Sequence, residues 1–210
     1  MEETISNNKK SNVDWYLIYF FQLHLNFRRA EFVLLCEMYG GKILEIEEEK
    51  NASIDYPFIR IKIEFEENVN PKEVFKKICE RSILIRTILK EYVRESTFDA
   101  LIKKFDEFDT KLIDPHISSD KTFKIQFEGY NKKIQREEFL DKIDLIITNK
   151  NFKWDAKAKM KNPDNFFWAI EVFKKIVKKK KNLISFLFLF RKKKRASKIP
   201  IGCLMKWYSD

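Results

Sequence analysis

Residues 15–25 read WYLIYFFQLHL, and the run is apolar on both faces of an extended chain. Trp15, Leu17, Tyr19, Phe21 and Leu23 share one face by a period of two, and Tyr16, Ile18 and Phe20 share the other. A strand with two apolar faces needs cover on both, so it belongs inside a sheet rather than at an edge. The rest of the chain must therefore supply neighbouring strands and at least one covering layer.

Asn26 is a good helix cap, and Phe27, Ala30, Leu34, Leu35 and Met38 make an apolar stripe at helical spacing. Gly40 and Gly41 stop that helix. Lys42 to Glu48 alternates as a second strand, and Phe58 to Glu66 as a third, with Ile59, Ile61, Ile63 and Phe65 on its apolar side. Asn70-Pro71-Lys72-Glu73 joins a cap residue, a first-turn proline and a first-turn acid, so a helix starts there. Val74, Phe75, Ile78 and Cys79 are its buried stripe. Ile83 to Val93 is apolar and β-branched, which suits a strand or a continuation of the helix. Read as a strand, it completes the order strand, helix, strand, strand, helix, strand of a ferredoxin-like split βαβ unit.

A second set of elements comes after Arg94. Ser96 can cap a helix reaching about Leu112, and Thr122 to Glu128 is a short alternating strand. Lys133 to Thr148 reads as a helix with Ile134, Leu140, Ile143 and Ile147 on its stripe. Phe152 to Met160 is a basic connector or weak strand, Asn162-Pro163-Asp164 a turn, and Phe166 to Phe173 a final strand. The expected class is α+β. The expected division is a disordered segment 1–12, a ferredoxin-like domain 13–95, a second α/β domain 96–171 and an irregular basic tail 172–210.

Charge sets that tail apart. Residues 171–210 hold 13 of the 42 Lys and Arg and only 2 of the 32 acids, while the first 170 residues hold 29 and 30. The body is balanced, so the net charge of +10 is no measure of nucleic-acid affinity there. In the tail, two Lys/Arg blocks flank LISFLFLF (183–190), which has no polar face. Runs of Lys and Phe are also what A- and T-rich non-coding DNA yields on translation, which makes intron read-through or a frame change the working hypothesis for residues 172–210. The longest apolar run is eight residues against the roughly 20 that span a bilayer. The expected location is the cytoplasm.

Catalytic chemistry is hard to build from these residues. Four glycines leave no Gly-rich loop for a nucleotide or S-adenosylmethionine, and the two His and three Cys lack metal-ligand or triad spacing. No catalytic, cofactor or metal residue is assigned. Binding candidates are clearer. Arg28 and Arg29 fall in the first turn of a helix, against its macrodipole, and so call for an anion: a carboxylate of the 45–49 strand or a phosphate. Arg86 sits among apolar neighbours and needs an internal carboxylate or a phosphate. Lys153, Lys157, Lys159 and Lys161, with Lys150, surround Trp154 and adjoin Asn162. That stretch suits RNA phosphates with a stacking ring, or else a solvated loop over a buried Trp154.

Four blocks carry a family resemblance. HLNFRRAEFVLLCEMYG (24–40), SILIRTILKEY (82–92), TFKIQFEGY (122–130) and AKAKMKNPDNFFWAIE (156–171) resemble, in order, segments of the catalytic subunit of the tRNA guanosine-10 N(2)-methyltransferases. The similarity covers residues 14–171. It implies a ferredoxin-like domain followed by a THUMP domain that recognises tRNA, with Arg28, Arg29, Arg86, Lys153, Trp154, Lys157, Lys159, Lys161 and Asn162 as the candidate RNA-binding residues. In that family a downstream domain methylates guanine with S-adenosylmethionine, and a small zinc-binding activator subunit is its partner. No residue here matches that domain's cofactor loop or Asp-Pro-Pro-Tyr motif, so the chain alone is expected to be inactive and to hold no cofactor. Its expected partner is tRNA, and nothing points to DNA. The alternative is a non-catalytic truncated product or protein-interaction module that binds no tRNA.

Overall fold

A computed structural model describes residues 12–47, 55–131, 134–176 and 179–189, the last eleven and residues 174–176 through their backbone alone. Its centre is one eight-stranded sheet. The strands are β1 (Asn12–Phe20), β2 (Gly41–Glu47), β3 (Phe58–Phe65), β4 (Ile85–Glu95), β5 (Thr122–Tyr130), β6 (Lys157–Ala158), β7 (Asn165–Ile176) and β8 (Lys179–Leu189), in the spatial order β2-β3-β1-β4-β8-β7-β5-β6. The helices are α1 (Arg28–Met38), α2 (Pro71–Arg81), α3 (Phe98–Asp106), α4 (Asp114–Ile117) and α5 (Arg136–Ile147). The α+β class expected from the sequence is the class found.

Strands β2, β3, β1 and β4 are all antiparallel, with α1 and α2 as crossovers, which is the ferredoxin-like arrangement. The double-faced run is indeed internal: β1 pairs with β3 on one side and β4 on the other. Asn70 caps α2 by accepting from the Lys72 N–H at 3.0 Å, with Pro71 at the first helical position. In the second half β5 is parallel to both β6 and β7, and β7 turns back antiparallel into β8.

Strand β8 joins the halves. It pairs with β4 from Ile184↔Glu95 to Leu189↔Leu89 and with β7 along its whole length. Residues 172–176 and 179–189 are thus strand where the sequence suggested an irregular tail. The physical reason is the one that applies to β1: a run with no polar face suits a central strand, and the flanking lysines disguise it. Residues 190–210, like 1–11, lie outside the described residues.

Three apolar clusters fill the fold. Tyr16, Ile18, Phe20, Ile61 and Ile63 pack under α1 and α2. Val93, Ile125, Phe127, Phe167 and Ala169 pack with Leu101 and Phe105 of α3 and Ile146 of α5. A third cluster takes the alternate residues of the same strands, Leu17, Tyr19, Phe58, Leu89, Phe166 and Trp168, on the other face of the sheet. That face is curled. Phe58 on β3 meets Tyr130 on β5 edge-on with ring centroids 5.8 Å apart. Five strand spacings separate β3 from β5, about 24 Å in a flat sheet. The helices therefore lie outside, and aromatic rings line a concave inner face.

Several local readings are corrected. The first strand ends at Phe20, and His24 turns the chain in a left-handed conformation (φ 42°) before a 3-10 turn over Leu25–Phe27. That turn rotates α1 relative to the expected stripe: Arg28, Phe32, Leu35 and Cys36 face inward, while Phe27, Leu34 and Met38 are exposed. The cap of α3 is Thr97 rather than Ser96, and α3 stops at Asp106. On α5, Ile146 is buried and Leu140 is exposed.

Candidate nucleic-acid interface

Arg86 is the residue that the pairing register leaves over. Tyr19 faces Thr87 and Phe20 faces Ile85, so Arg86 is the extra residue of a β-bulge between β1 and β4. A bulge re-aims a side chain, and here the guanidinium lies over the Tyr19 ring, 4.4 Å from its centroid, and 5.9 Å from that of Trp168. Its Nη1 donates to the Tyr19 hydroxyl at 2.5 Å and stands 3.7 Å from Oε1 of Glu128. Tyr19 in turn donates to Glu128 at 2.8 Å. Burial, and then the Glu128 charge, push the Tyr19 phenol up to about 12. The internal carboxylate required for Arg86 is thus Glu128, yet the side chain keeps 42% of its surface open to solvent. It can meet an anion without leaving its seat.

Arg28 opens α1 with its side chain turned inward. It is buried, its Nε donates to the Leu25 carbonyl at 3.3 Å, and its guanidinium lies 5.8 Å from the Phe20 ring centroid. Burial lowers its pKa, and the nearby Asp55 and Tyr130 oppose that shift. Arg29 is exposed on α1. Arg28 and Arg86 therefore flank the same aromatic group, in which Tyr19 touches Phe58 and Phe58 touches Tyr130.

The lysines collect elsewhere. Lys157 opens β6, the last strand of the sheet, and its N–H donates to the Lys121 carbonyl at 3.2 Å. The Lys159 N–H donates to the Phe123 carbonyl at 2.8 Å. Lys159 lies just past the end of β6, but its N–H and that of Lys157 both turn toward β5, so the two side chains project together, and both are exposed, as are Lys153 and Lys161. Lysines on an unpaired edge also discourage other strands from adding to it. Asp164 ties this corner down. It accepts from the Thr122 N–H at 2.9 Å and hydroxyl at 2.6 Å, bonds that hold its carboxyl below the usual range, helped by Lys159 and Lys121. Asn162 takes a left-handed φ of 48°, a conformation asparagine tolerates well, so its turn geometry already accounts for it.

Trp154 is half-buried. Its ring sits against Phe123 (4.7 Å), Phe167 (5.3 Å) and Phe152 (6.3 Å), at the margin of the α3–α5 core. Of the two readings of this stretch, the tryptophan follows the packed one, and the lysines stay at the surface.

One charged group escaped the sequence reading. Arg60 on β3 bridges Glu47 at 2.5 Å and Glu91 at 2.7 Å, stacks on Trp15 at 3.6 Å, and Arg94 adds a second bond to Glu47 at 2.7 Å. Trp15, Arg60, Glu91 and Arg94 border a cavity of about 340 Å³ with Asp14, Lys90 and Phe108. Burial raises the Glu91 pKa against the pull of Arg60; for Glu47 the Arg60 and Arg94 hydrogen bonds outweigh burial and lower it. The alternation of Arg60 and Lys62 with isoleucines marked the strand but not the charge partners. Opposite charges balance here, so the group reads as a lock between strands. Among the described residues no cluster of His, Cys, Asp or Glu could hold a metal ion, and no helix is long and apolar enough to cross a membrane.

Residues 14–192 match the family model described as the Tmrp11 THUMP N-terminal domain. The match runs past Glu171, where the resemblance was expected to end, and takes in both β7 and β8. The chain is 32% identical over 165 residues to the tRNA (guanine(10)-N(2))-methyltransferase of Saccharomyces cerevisiae, covering 75% of this chain and 34% of that protein. It is 23% identical over 156 residues to tRNA (guanine(10)-N(2))-methyltransferase TRMT11 of Gallus gallus, covering 74% and 31%. The chain thus spans about a third of the length of these relatives. Among solved structures, the PH1313 protein of Pyrococcus horikoshii superimposes with a TM-score of 0.49 at 11% identity, covering 84% of this chain and 54% of that one. That score is too low to establish a shared fold.

Proposed function

Because the chain belongs to the Tmrp11 THUMP N-terminal domain family, we propose that it is a tRNA-recognition region, the part of a tRNA guanine-10 N(2)-methyltransferase that grips the substrate. The family match is the observation that carries this reading. Two features of the geometry support it: the exposed lysines along β6, and the bulge that presents Arg86 beside aromatic rings. The lysines would contact phosphates and contribute affinity without sequence choice. Arg28 would act indirectly, through the aromatic group it flanks, and Trp154 through packing.

On this reading the division near residue 95 separates a ferredoxin-like unit from a THUMP unit, and the two helix-covered cores on either side of it support that division. Methyl transfer from S-adenosylmethionine and docking of a small zinc-binding activator subunit belong to the part of the longer relatives that this chain does not span. The chain would act in the cytoplasm.

The test is fluorescence anisotropy of labelled tRNA titrated with the 210-residue chain at low salt. K157E combined with K159E should weaken binding at least about tenfold, while K111E, an exposed lysine outside the patch, should leave it within about twofold. Equal effects of both substitutions would remove β6 from the interface.

A further inference from the structure

Helix α1 carries an apolar stripe on the side turned away from the sheet. Phe27, Leu34 and Met38 are 67%, 67% and 52% exposed and recur at helical spacing along one line. Beside it lie Ile83 (70%), Leu23 (55%) and Phe21 (39%). The patch is continuous. The Phe21 N–H donates to the Leu84 carbonyl at 2.8 Å, and Glu31 of α1 accepts from the Ile83 N–H at 3.1 Å.

Glu31 falls within the stripe and could have made it unfit for an apolar partner. Its carboxylate is instead turned sideways, where it also accepts from the Ser82 hydroxyl at 2.5 Å and the Leu84 N–H at 3.2 Å. The stripe is left without an outward charge, and the small Ala30 beside it allows a second backbone to come close. Together the six side chains leave on the order of 500 Å² of apolar surface open, at the upper end of what a monomer shows. Two copies packed through it would bury on the order of 1,000 Å² in total, about the least that a specific interface needs.

We infer that this surface is a homodimer interface, in which the α1 stripes of two copies pack on each other about a two-fold axis. A stripe that is straight, uncharged and centred on one helix is complementary to itself, as an isologous contact requires. Nucleic acid is a poor occupant, since no cation falls on the stripe itself: the exposed Arg29 is off its line by helical spacing, the exposed Arg81 belongs to α2, and the exposed Glu37 beside Met38 is acidic. The arrangement leaves β6 free, because α1 packs beside β2 at the opposite edge of the sheet. The dimer does not depend on the tRNA reading and can fail or hold without it.

Sedimentation of the full 210-residue chain up to about 100 µM decides it. A species of twice the 25.4 kDa chain mass is expected. L34D, and separately F27D, should each raise its dissociation constant at least about a hundredfold, since each change acts twice in a symmetric contact. Both positions face solvent, and an unchanged circular dichroism melt confirms that each variant folds. A wild-type chain that stays monomeric overturns the proposal. So does a dimer indifferent to both substitutions, and so does a monomer whose Met38 resists peroxide oxidation because another part of the chain covers the stripe.

Discussion

The Tyr19 hydroxyl on β1 donates to Glu128 on β5 across 2.8 Å, although the two residues stand 109 apart in sequence. Three strands, β4, β8 and β7, lie between them in the sheet. Only the curl of the sheet brings them together, so this bond reports on whether the two halves hold their relative pose.

Removing that hydroxyl should be felt by the whole fold. Y19F forfeits a hydrogen bond to a charged group, worth about 1.5–3 kcal/mol, and lowers the melting temperature by roughly 3–10 °C. E128Q keeps an acceptor and should cost less. The phenol also sets an alkaline limit. Its folded pKa is raised from 10.0 to about 12. The folded state therefore holds the proton more tightly, and the corresponding stability is intact below pH 10 and lost as pH rises toward 12. Thermal melts between pH 9 and pH 12 should fall less steeply in Y19F than in the wild type, with Tyr16 and Tyr92, also raised by burial, supplying the remaining slope.

Gly41 opens β2 in a space that has no room for a side chain. A Cβ there would lie 2.5 Å from the Cys36 Sγ and 3.0 Å from the Phe65 ring. G41A should destabilise by about 1–3 kcal/mol. Because the nearest obstacle is the thiol, C36A in the same chain should recover part of that loss. Denaturant melts of the two single variants and the double variant measure the coupling.

The Arg60 lock should be costly to break from one side. The Glu91 side chain is 4% exposed against Arg60. R60A leaves that carboxylate buried without its guanidinium and should cost about 3–5 kcal/mol, whereas R60L combined with E91L should cost much less. Urea unfolding of both variants distinguishes a buried ion pair from a mere surface contact.

Strand β8 should be essential although its sequence looks like a tail. Ser185 pairs with Arg94 on one side and Ile170 on the other. S185P removes a ladder N–H in a central strand and should cost about 3 kcal/mol or more. Loss of the cooperative near-ultraviolet signal at ambient temperature would show it, and a wild-type melt would contradict the placement of β8.

The sequence was most legible where local chemistry agreed with the fold. Asn70 and Pro71 fixed the start of α2, and the double-faced apolar run fixed β1 as internal. Misreadings arose where tertiary context won. The left-handed His24 and the turn after it rotated α1, so that Arg28 went in and Phe27 came out. Lysines on either side of the apolar run in β8 concealed a central strand. Of the candidate site, the exposed lysines near β6 were visible as composition, but the seat of Arg86 depends on a bulge that no periodicity reveals. The two readings of Trp154, stacking ring or packed residue, stay open in the sequence because its three aromatic neighbours come from distant segments or around a turn.

The proposed tRNA contacts are to phosphates, chiefly from Lys157 on β6 and Lys159 just past it. The most direct measurement is the dissociation constant of the 210-residue chain for tRNA across about 50–200 mM salt. The account predicts that log K falls linearly with log salt, and that K157E with K159E makes the slope shallower by roughly one to two. No binding at the lowest salt, or a slope that the double substitution leaves unchanged, would contradict it.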